Sequence, residues 1–256
     1  MAHALGLTRA GMLLRQHELS VPECFAGLIE RRATAEPIAY IRGMQEFWDL
    51  TLTVTPDVLI PRGDSETLIE AAIEAFDGLA GPTRILDLGT GSGALLLAAL
   101  SVFPNARGIG IDASLPALAV ASGNAERLGF GERAAFNHLS WCDAGWSSGL
   151  GRFDLILCNP PYVEDGADLD ATVVLYEPVT ALFAGPVGLS DYRILIPQIP
   201  ALLASGGVAV FEIGHTQAED VSELASKAGL STEMRRDLAG KPRCLRFSLG
   251  IAQARG

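Results

Sequence analysis

The 256-residue chain is poor in several features that would decide its class at once. It has only four cysteines, Cys24, Cys142, Cys158 and Cys244, and no two form a Cys-x-x-Cys pair. Neither a zinc ribbon nor a disulfide scaffold is indicated, and a reducing compartment fits best. Its four histidines, His3, His17, His138 and His215, show no ligand spacing, so no metal site is expected. Basic residues are scarce: 19 Lys and Arg stand against 30 Asp and Glu, a formal charge of −11. Such a chain gains nothing from a phosphate backbone, which argues against direct nucleic-acid binding. The longest wholly apolar run, residues 94–100, is far short of the ~20 residues of a membrane helix. The N-terminus lacks the charged start, apolar stretch and small-residue cleavage site of a signal peptide. No internal repeat or low-complexity tract is present. These absences lead to the expectation of a soluble cytoplasmic protein with no membrane partner.

What is present is enough apolar material for a sizeable core: 49% hydrophobic against 19% charged residues. From residue 84 onward, strand-like and helix-like segments alternate. Residues 84–88 form a short apolar run, followed by Gly-Thr-Gly-Ser-Gly (89–93) and a helical stretch over 94–102 that stops before Pro104. A second strand covers 107–111 and ends at Asp112. Ser114 caps a helix to about Leu128, with Gly129 as its stop. Strands follow at 134–139 and 153–158, the latter β-rich and ended by Asn-Pro-Pro. A helix over 190–204, interrupted by Pro197 and Pro200, a strand over 207–213 and a helix over 216–228 come next. Strands at 232–238 and 243–249 flank Ala-Gly-Lys-Pro as a terminal hairpin. This alternation implies an α/β fold, a Rossmann-like parallel sheet with helices on both faces and ligands outside the carboxyl ends of its strands. Before it, residues 21–32 look helical. Residues 46–60 have strand patterning with Pro56-Asp57 as a turn, and the first thirty-odd residues are too few for a core of their own.

Gly89, Gly91 and Gly93 lie between a strand and a helix, where missing side chains let the backbone turn tightly and approach a ligand. Asp112 follows Gly91 by 21 residues, where an acid accepts hydrogen bonds from ribose hydroxyls. An adenosine-containing cofactor is implied. Gly89-x-Gly91-x-x-Ala94 satisfies the dinucleotide fingerprint. The third glycine at 93 and Asp87 ahead of the loop instead resemble the first motif of S-adenosylmethionine-dependent methyltransferases, with Asp87 suited to the cofactor's ammonium.

Asn159-Pro160-Pro161-Tyr162 follows the strand at 153–158. Two prolines stiffen the backbone and leave carbonyls free to accept. Asn159 adds a side-chain acceptor and Tyr162 a flat face. The set suits a planar NH2 group and resembles methyltransferases acting on base amines or on glutamine amides. The rest of the chain separates the two. Glu36-Pro-Ile-Ala-Tyr-Ile-Arg-Gly43, Glu46-Phe-Trp48, Val58-Leu-Ile-Pro-Arg62 and Glu66 resemble the peptide chain release factor N(5)-glutamine methyltransferase family. So do Tyr176-Glu-Pro178, Gly188-Leu189, Tyr192-Arg193, Glu212-Ile-Gly214, Gln217 and Asp237-Leu-Ala-Gly240. The resemblance runs from about Leu5 to Leu249.

The resemblance implies a seven-stranded class I methyltransferase sheet over 81–256, with an antiparallel terminal hairpin. Ahead of it come a helical release-factor-binding segment over 1–45 and a β-hairpin and linker over 46–80. It implies S-adenosylmethionine as cofactor, S-adenosylhomocysteine as product and release factors as partners. Carried over by position, the cofactor-binding residues are Gly89, Thr90, Gly91, Ser92, Gly93, Asp112, Trp141 and Asn159. The catalytic set is Asn159, Pro160, Pro161 and Tyr162. Trp141 is preferred over Trp146 beside the adenine, with Ser140 where the family has an acid. Asn159 and the Pro160 carbonyl are expected to accept the two N–H bonds of the substrate amide. The alternatives are a ribosomal-protein glutamine methyltransferase, a base-amine methyltransferase, a nicotinamide oxidoreductase with no marked hydride site and a cofactor-binding adapter. Two departures stand out. Arg62-Gly-Asp-Ser-Glu66 replaces the family's Arg-Pro-Glu-Thr-Glu. Met1–Leu7 resembles the middle of the family's N-terminal domain, so either that domain is reduced here or the start is assigned late. Cys158 is expected to be a buried hydrophobe, the acids at 164–170 a solvated loop, and Arg62 and Glu66 either a site closure or an ion pair.

Overall fold

A computed structural model describes residues 1–250. Short helices open the chain: α1 (Arg9–Leu14), α2 (Phe25–Ala33) and α3 (Ile38–Arg42). A hairpin follows, β1 (Met44–Phe47) paired antiparallel with β2 (Leu50–Thr53). Its turn lies at Trp48-Asp49, with Trp48 at φ +53°. The Trp48 N–H donates to the Glu66 carboxylate at 2.8 Å, a tertiary contact that holds the left-handed turn. Residues 54–60 add no strand, and the expected turn at Pro56-Asp57 is present, the Val58 N–H donating to the Thr55 carbonyl at 3.1 Å. Val54, Val58 and Ile60 are buried in a small cluster with Tyr40 and Ala117.

Helix α4 (Glu66–Ala75) stands where only a linker was expected. Leu68, Ile69 and Ala72 recur at helical spacing and are fully buried, which ties this helix to the main core. The strands β3 (Arg84–Leu88), β4 (Arg107–Asp112), β5 (Ala134–His138) and β6 (Phe153–Cys158) alternate with α5 (Ala94–Val102) and α6 (Leu115–Arg127). Ser114 caps α6 by accepting from the Ala117 N–H. A short helix α7 (Ala171–Tyr176) precedes α8 (Ser190–Leu195) and α9 (Ile199–Leu202). The expected single helix over 190–204 is thus divided, because Pro197 and Pro200 each open a new turn. Strand β7 (Leu203–Glu212), helix α10 (Ala218–Lys227) and the hairpin β8 (Leu230–Arg236) and β9 (Pro242–Leu249) complete the fold.

The seven strands run in the order β5-β4-β3-β6-β7-β9-β8. β3 to β7 are parallel and β9 is antiparallel to both its neighbours. The order reverses beside β3, so β4 and β6 flank it and their carboxyl ends open a crevice there. Two apolar layers cover the sheet faces. Tyr192, Ile196 and Phe211 lie in one, and Leu96, Leu97 and Leu155 in the other. No helix of the described residues is long and apolar enough to cross a membrane.

Candidate active site

A cavity of about 330 Å³ lies at the carboxyl ends of β3, β4 and β6. Gly89, Thr90, Gly91 and Ser92 line it from the loop between β3 and α5, Asp112 from the end of β4, and Trp141 from beyond β5. Asn159 and Pro161 line it from beyond β6. The facing wall comes from outside the sheet: Val58, Pro61 and Ser65 ahead of α4, and Pro178 and Ala181 beyond α7. Of these wall residues, sequence reasoning had placed only Pro178 near the substrate, with Glu177.

Gly89 has φ +73°, and a Cβ there would stand 3.1 Å from the Trp141 ring. The bare backbone keeps the indole edge close, which a side chain would push away. Asp112 accepts the Gly91 N–H at Oδ2 and the Ser114 N–H at Oδ1, both at 2.9 Å. One backbone bond per oxygen fixes the carboxylate and leaves lone pairs to spare. Asp87 is buried behind the loop. The Thr90 hydroxyl donates to its Oδ2 at 2.6 Å, while Oδ1 has no partner among the described residues. Burial pushes this carboxyl up to about 7, against the Thr90 hydroxyl and the Leu96 N–H, which favour the charged form, and with the help of the Asp112 charge. Gly93 does not line the cavity. It caps α5 at φ +83°, where a Cβ would press on Leu97 and Ala121.

The Asn-Pro-Pro-Tyr segment leaves β6 stiffly. Pro160 is buried and does not line the cavity, and its carbonyl accepts no hydrogen bond among the described residues. Asn159 Nδ2 donates to Ser65 Oγ at 3.4 Å, and Ser65 donates to Glu212 Oε2 at 2.5 Å. The Tyr162 hydroxyl donates to Glu212 Oε1 at 3.0 Å. Tyr162 is half-buried against the core and does not line the cavity. Burial and the Glu212 charge push its phenol above the ordinary value. Burial also raises Glu212, opposed by hydrogen bonds from Ser65 and Tyr162 and by the Arg243 charge. Beyond the segment, Gln217 Nε2 donates to the carbonyls of Tyr162 and Gly188, and its Oε1 accepts the Gly214 N–H. Every polar atom of that buried amide is used to hold the loop.

The two tryptophans separate cleanly. Trp141 borders the cavity and donates its Nε1–H to Asp191 Oδ1 at 2.7 Å. Trp146 is buried in the sheet core, away from the cavity. Asp191, on α8, supplies the carboxylate beside Trp141 that Ser140 cannot. Arg62 pairs with the buried Glu177 and not with Glu66. Glu177 also accepts the Ile60 N–H at 3.1 Å, which ties the two halves of the facing wall together. Cys158 is fully buried, and burial raises its thiol well above the ordinary value, so it is no nucleophile.

A parallel crevice with a glycine loop, an acid at the end of the next strand and a stiff amide-bearing segment after β6 is the layout of a methyltransferase domain, and that domain family matches residues 80–234. The PrmC N-terminal domain family matches residues 1–43. The release factor glutamine methyltransferase of Rhodospirillum rubrum is 44% identical over 249 residues, covering 95% of this chain and 75% of that protein. The enzyme of the same name from Caulobacter vibrioides is 41% identical, with 91% and 80% covered. The chain belongs to the release factor glutamine methyltransferase family. Among solved structures, a methyltransferase from Pyrococcus furiosus shares the fold at TM-score 0.56 and 21% identity, with 89% of this chain and 98% of that one covered.

Proposed function

We propose that the chain transfers a methyl group from S-adenosylmethionine to the side-chain amide nitrogen of the glutamine in the Gly-Gly-Gln loop of peptide chain release factors, leaving S-adenosylhomocysteine. The observation that carries this reading is a single cavity holding both a glycine cradle and the Asn159 carboxamide, in a chain of this family. The reading makes residues 1–45 the release-factor contact, 46–80 the wall of the site and 81–256 the catalytic domain. It places the chain in the cytoplasm with its substrate.

The cavity fits the cofactor on three counts. The slot between Gly89 and Trp141 is one that a Cβ would fill. Asp112 keeps lone pairs for ribose hydroxyls. Asp87, behind the glycine loop and outside the cavity lining, offers negative charge toward a cation bound in the cavity. Gly89 to Ser92, Asp112 and Trp141 would hold the cofactor, which when bound supplies an electrophilic methyl on a sulfonium. The chain's own residues handle the acceptor. An amide nitrogen is a poor nucleophile because its lone pair is delocalised. Asn159 Oδ1 and the Pro160 carbonyl each accept one of its N–H bonds and fix the nitrogen's orientation. Such positioning removes part of the entropic barrier. The same acceptors stabilise positive charge growing on nitrogen, so they bind the transition state more tightly than the ground state. Pro161 and the Tyr162–Glu212 bond keep the segment from yielding.

Incubation of the purified protein with methyl-labelled cofactor and a release factor, followed by mass spectrometric mapping, tests the reading. The label is expected on the glutamine of Gly-Gly-Gln. Transfer to a ribosomal protein or a nucleic acid in its place refutes the substrate assignment.

A further inference from the structure

We propose that Ser65 is a positioning residue, its hydroxyl oriented by Glu212 so that Asn159 presents its amide oxygen to the substrate. The inference rests on the reading of Asn159 as the group that holds the substrate amide, and deepens it.

A carboxamide has two ends of nearly equal shape and opposite hydrogen-bonding role. An Asn159 turned the wrong way would oppose the N–H donors of a substrate amide with donors of its own. Counting protons shows what prevents this. Glu212, 1% exposed at the end of β7, receives the Tyr162 hydroxyl at Oε1 and the Ser65 hydroxyl at Oε2. A carboxylate accepts only. Burial and the Asp64 charge favour the neutral acid, but the two hydroxyl donors and the positive charge of Arg243, itself paired with Asp64 and Asp237, hold the carboxylate form that accepts from both. Ser65 has one proton, and Glu212 takes it. The Ser65 oxygen is then an acceptor, and the Asn159 group that meets it, at 3.4 Å, must be the NH2. Asn159 Oδ1 is left over. It accepts nothing among the described residues, is not buried, and belongs to a side chain lining the cavity. Were the Ser65 proton directed at Asn159, Oδ1 would be pinned and the donors would face the substrate. The relay therefore carries a direction: carboxylate, hydroxyl, amide, substrate. It joins three distant parts of the chain, since Ser65 precedes α4, Asn159 follows β6 and Glu212 ends β7. It also shows what is retained in Arg62-Gly-Asp-Ser-Glu66. Gly63 and Asp64 change the local backbone and charge, but position 65 still supplies a hydroxyl.

The test is a mutant cycle on the full chain, with kcat measured on a release factor and cofactor affinity measured by calorimetry. Ser65→Ala is expected to lower kcat roughly tenfold, about the effect of one lost hydrogen bond, with cofactor affinity unchanged. Ser65→Thr, which keeps the hydroxyl, is expected to rescue kcat. In the Asn159→Ala background, Ser65→Ala is expected to cost nothing further, because the group it orients is gone. Glu212→Gln reads the same relay with the Ser65 hydroxyl intact. It puts an amide hydrogen against one of the two hydroxyls, and the same loss and the same non-additivity are expected. Equal losses in both backgrounds, or no loss on Ser65→Ala, overturn the relay. Wild-type turnover by Asn159→Ala itself would instead overturn the role of Asn159, a result distinct from failure of the relay alone.

Discussion

Asp87→Asn isolates the effect of one buried acid on the stability of the fold. In the folded chain the Asp87 carboxyl is pushed up to about 7, chiefly by burial. In an unfolded chain it sits near 3.9. Because the folded value is the higher one, the native state holds a proton that the unfolded state has released between roughly pH 4 and 7. Stability is therefore full below pH ~4 and falls as pH rises, by up to about 1.4 kcal/mol per unit. A gap of about three units amounts to about 4 kcal/mol once pH exceeds 7. Asparagine is neutral throughout and keeps an acceptor for the Thr90 hydroxyl, so its variant lacks this slope. Urea unfolding of both proteins at half-unit steps from pH 4.5 to 8 measures the effect. The other carboxylates titrate in both proteins and cancel in the difference. The variant is expected to gain about 3 kcal/mol on the wild type between pH ~4.5 and ~8, the remaining ~1 kcal/mol lying below that range. A difference that stays constant with pH refutes the argument, since it would mean that Asp87 is ionised in the fold at every pH tested. Saturating S-adenosylmethionine is expected to move the midpoint of the difference curve down, as a cation bound nearby favours the carboxylate.

Asn159→Ala is expected to lower turnover by on the order of 10²-fold or more, with cofactor affinity largely kept; single-turnover kinetics and calorimetry read the two separately. Trp141→Ala and Trp146→Ala are expected to do opposite things. The first weakens cofactor binding with little change in stability. The second costs about 3–5 kcal/mol in urea unfolding and spares affinity, as a cavity in the core should. Glu177→Ala strips the partner from Arg62 and from the Ile60 N–H, and is expected to cost about 2 kcal/mol of stability; a loss under a few tenths would show that the two wall segments do not depend on it. With a thiol reagent, the exposed Cys24 and Cys142 are expected to react in the native protein. Cys158 and Cys244 should react only on unfolding, as a count of labelled sites by mass will show.

Where local chemistry punctuates the chain, the sequence was a good guide. The run from β3 to α6 was legible because glycines, an end-of-strand acid and a serine cap mark each boundary. β6 was legible because two prolines end it. The turn at Pro56-Asp57 was legible from its composition, whereas the turn at Trp48-Asp49, held by a contact from Glu66 in a later helix, was missed. Helix α4 carried a readable apolar spacing at Leu68, Ile69 and Ala72 that its position ahead of the main domain obscured. The site divides in the same way. The glycine loop, Asp112 and Asn159 are each neighbours of a strand end and were found. Asp191 beside Trp141 and Ser65 beside Glu212 lie 50 and 147 positions from their partners, beyond the reach of any local pattern.

The wall that Glu177 and Ile60 join across 117 positions has a consequence for how the molecule comes together. The seven-stranded sheet takes every strand, and so its register, from residues after Thr83, with α4 added from the preceding part to cover one face. The crevice is not so confined. Its far side exists only after chain ends of low mutual encounter probability have met, and that entropic toll is settled late. Nucleoside affinity is thus a gauge of completed assembly, and a fragment beginning at Gly63, which keeps α4 on the sheet, should retain strand pairing while its crevice stands open on one flank.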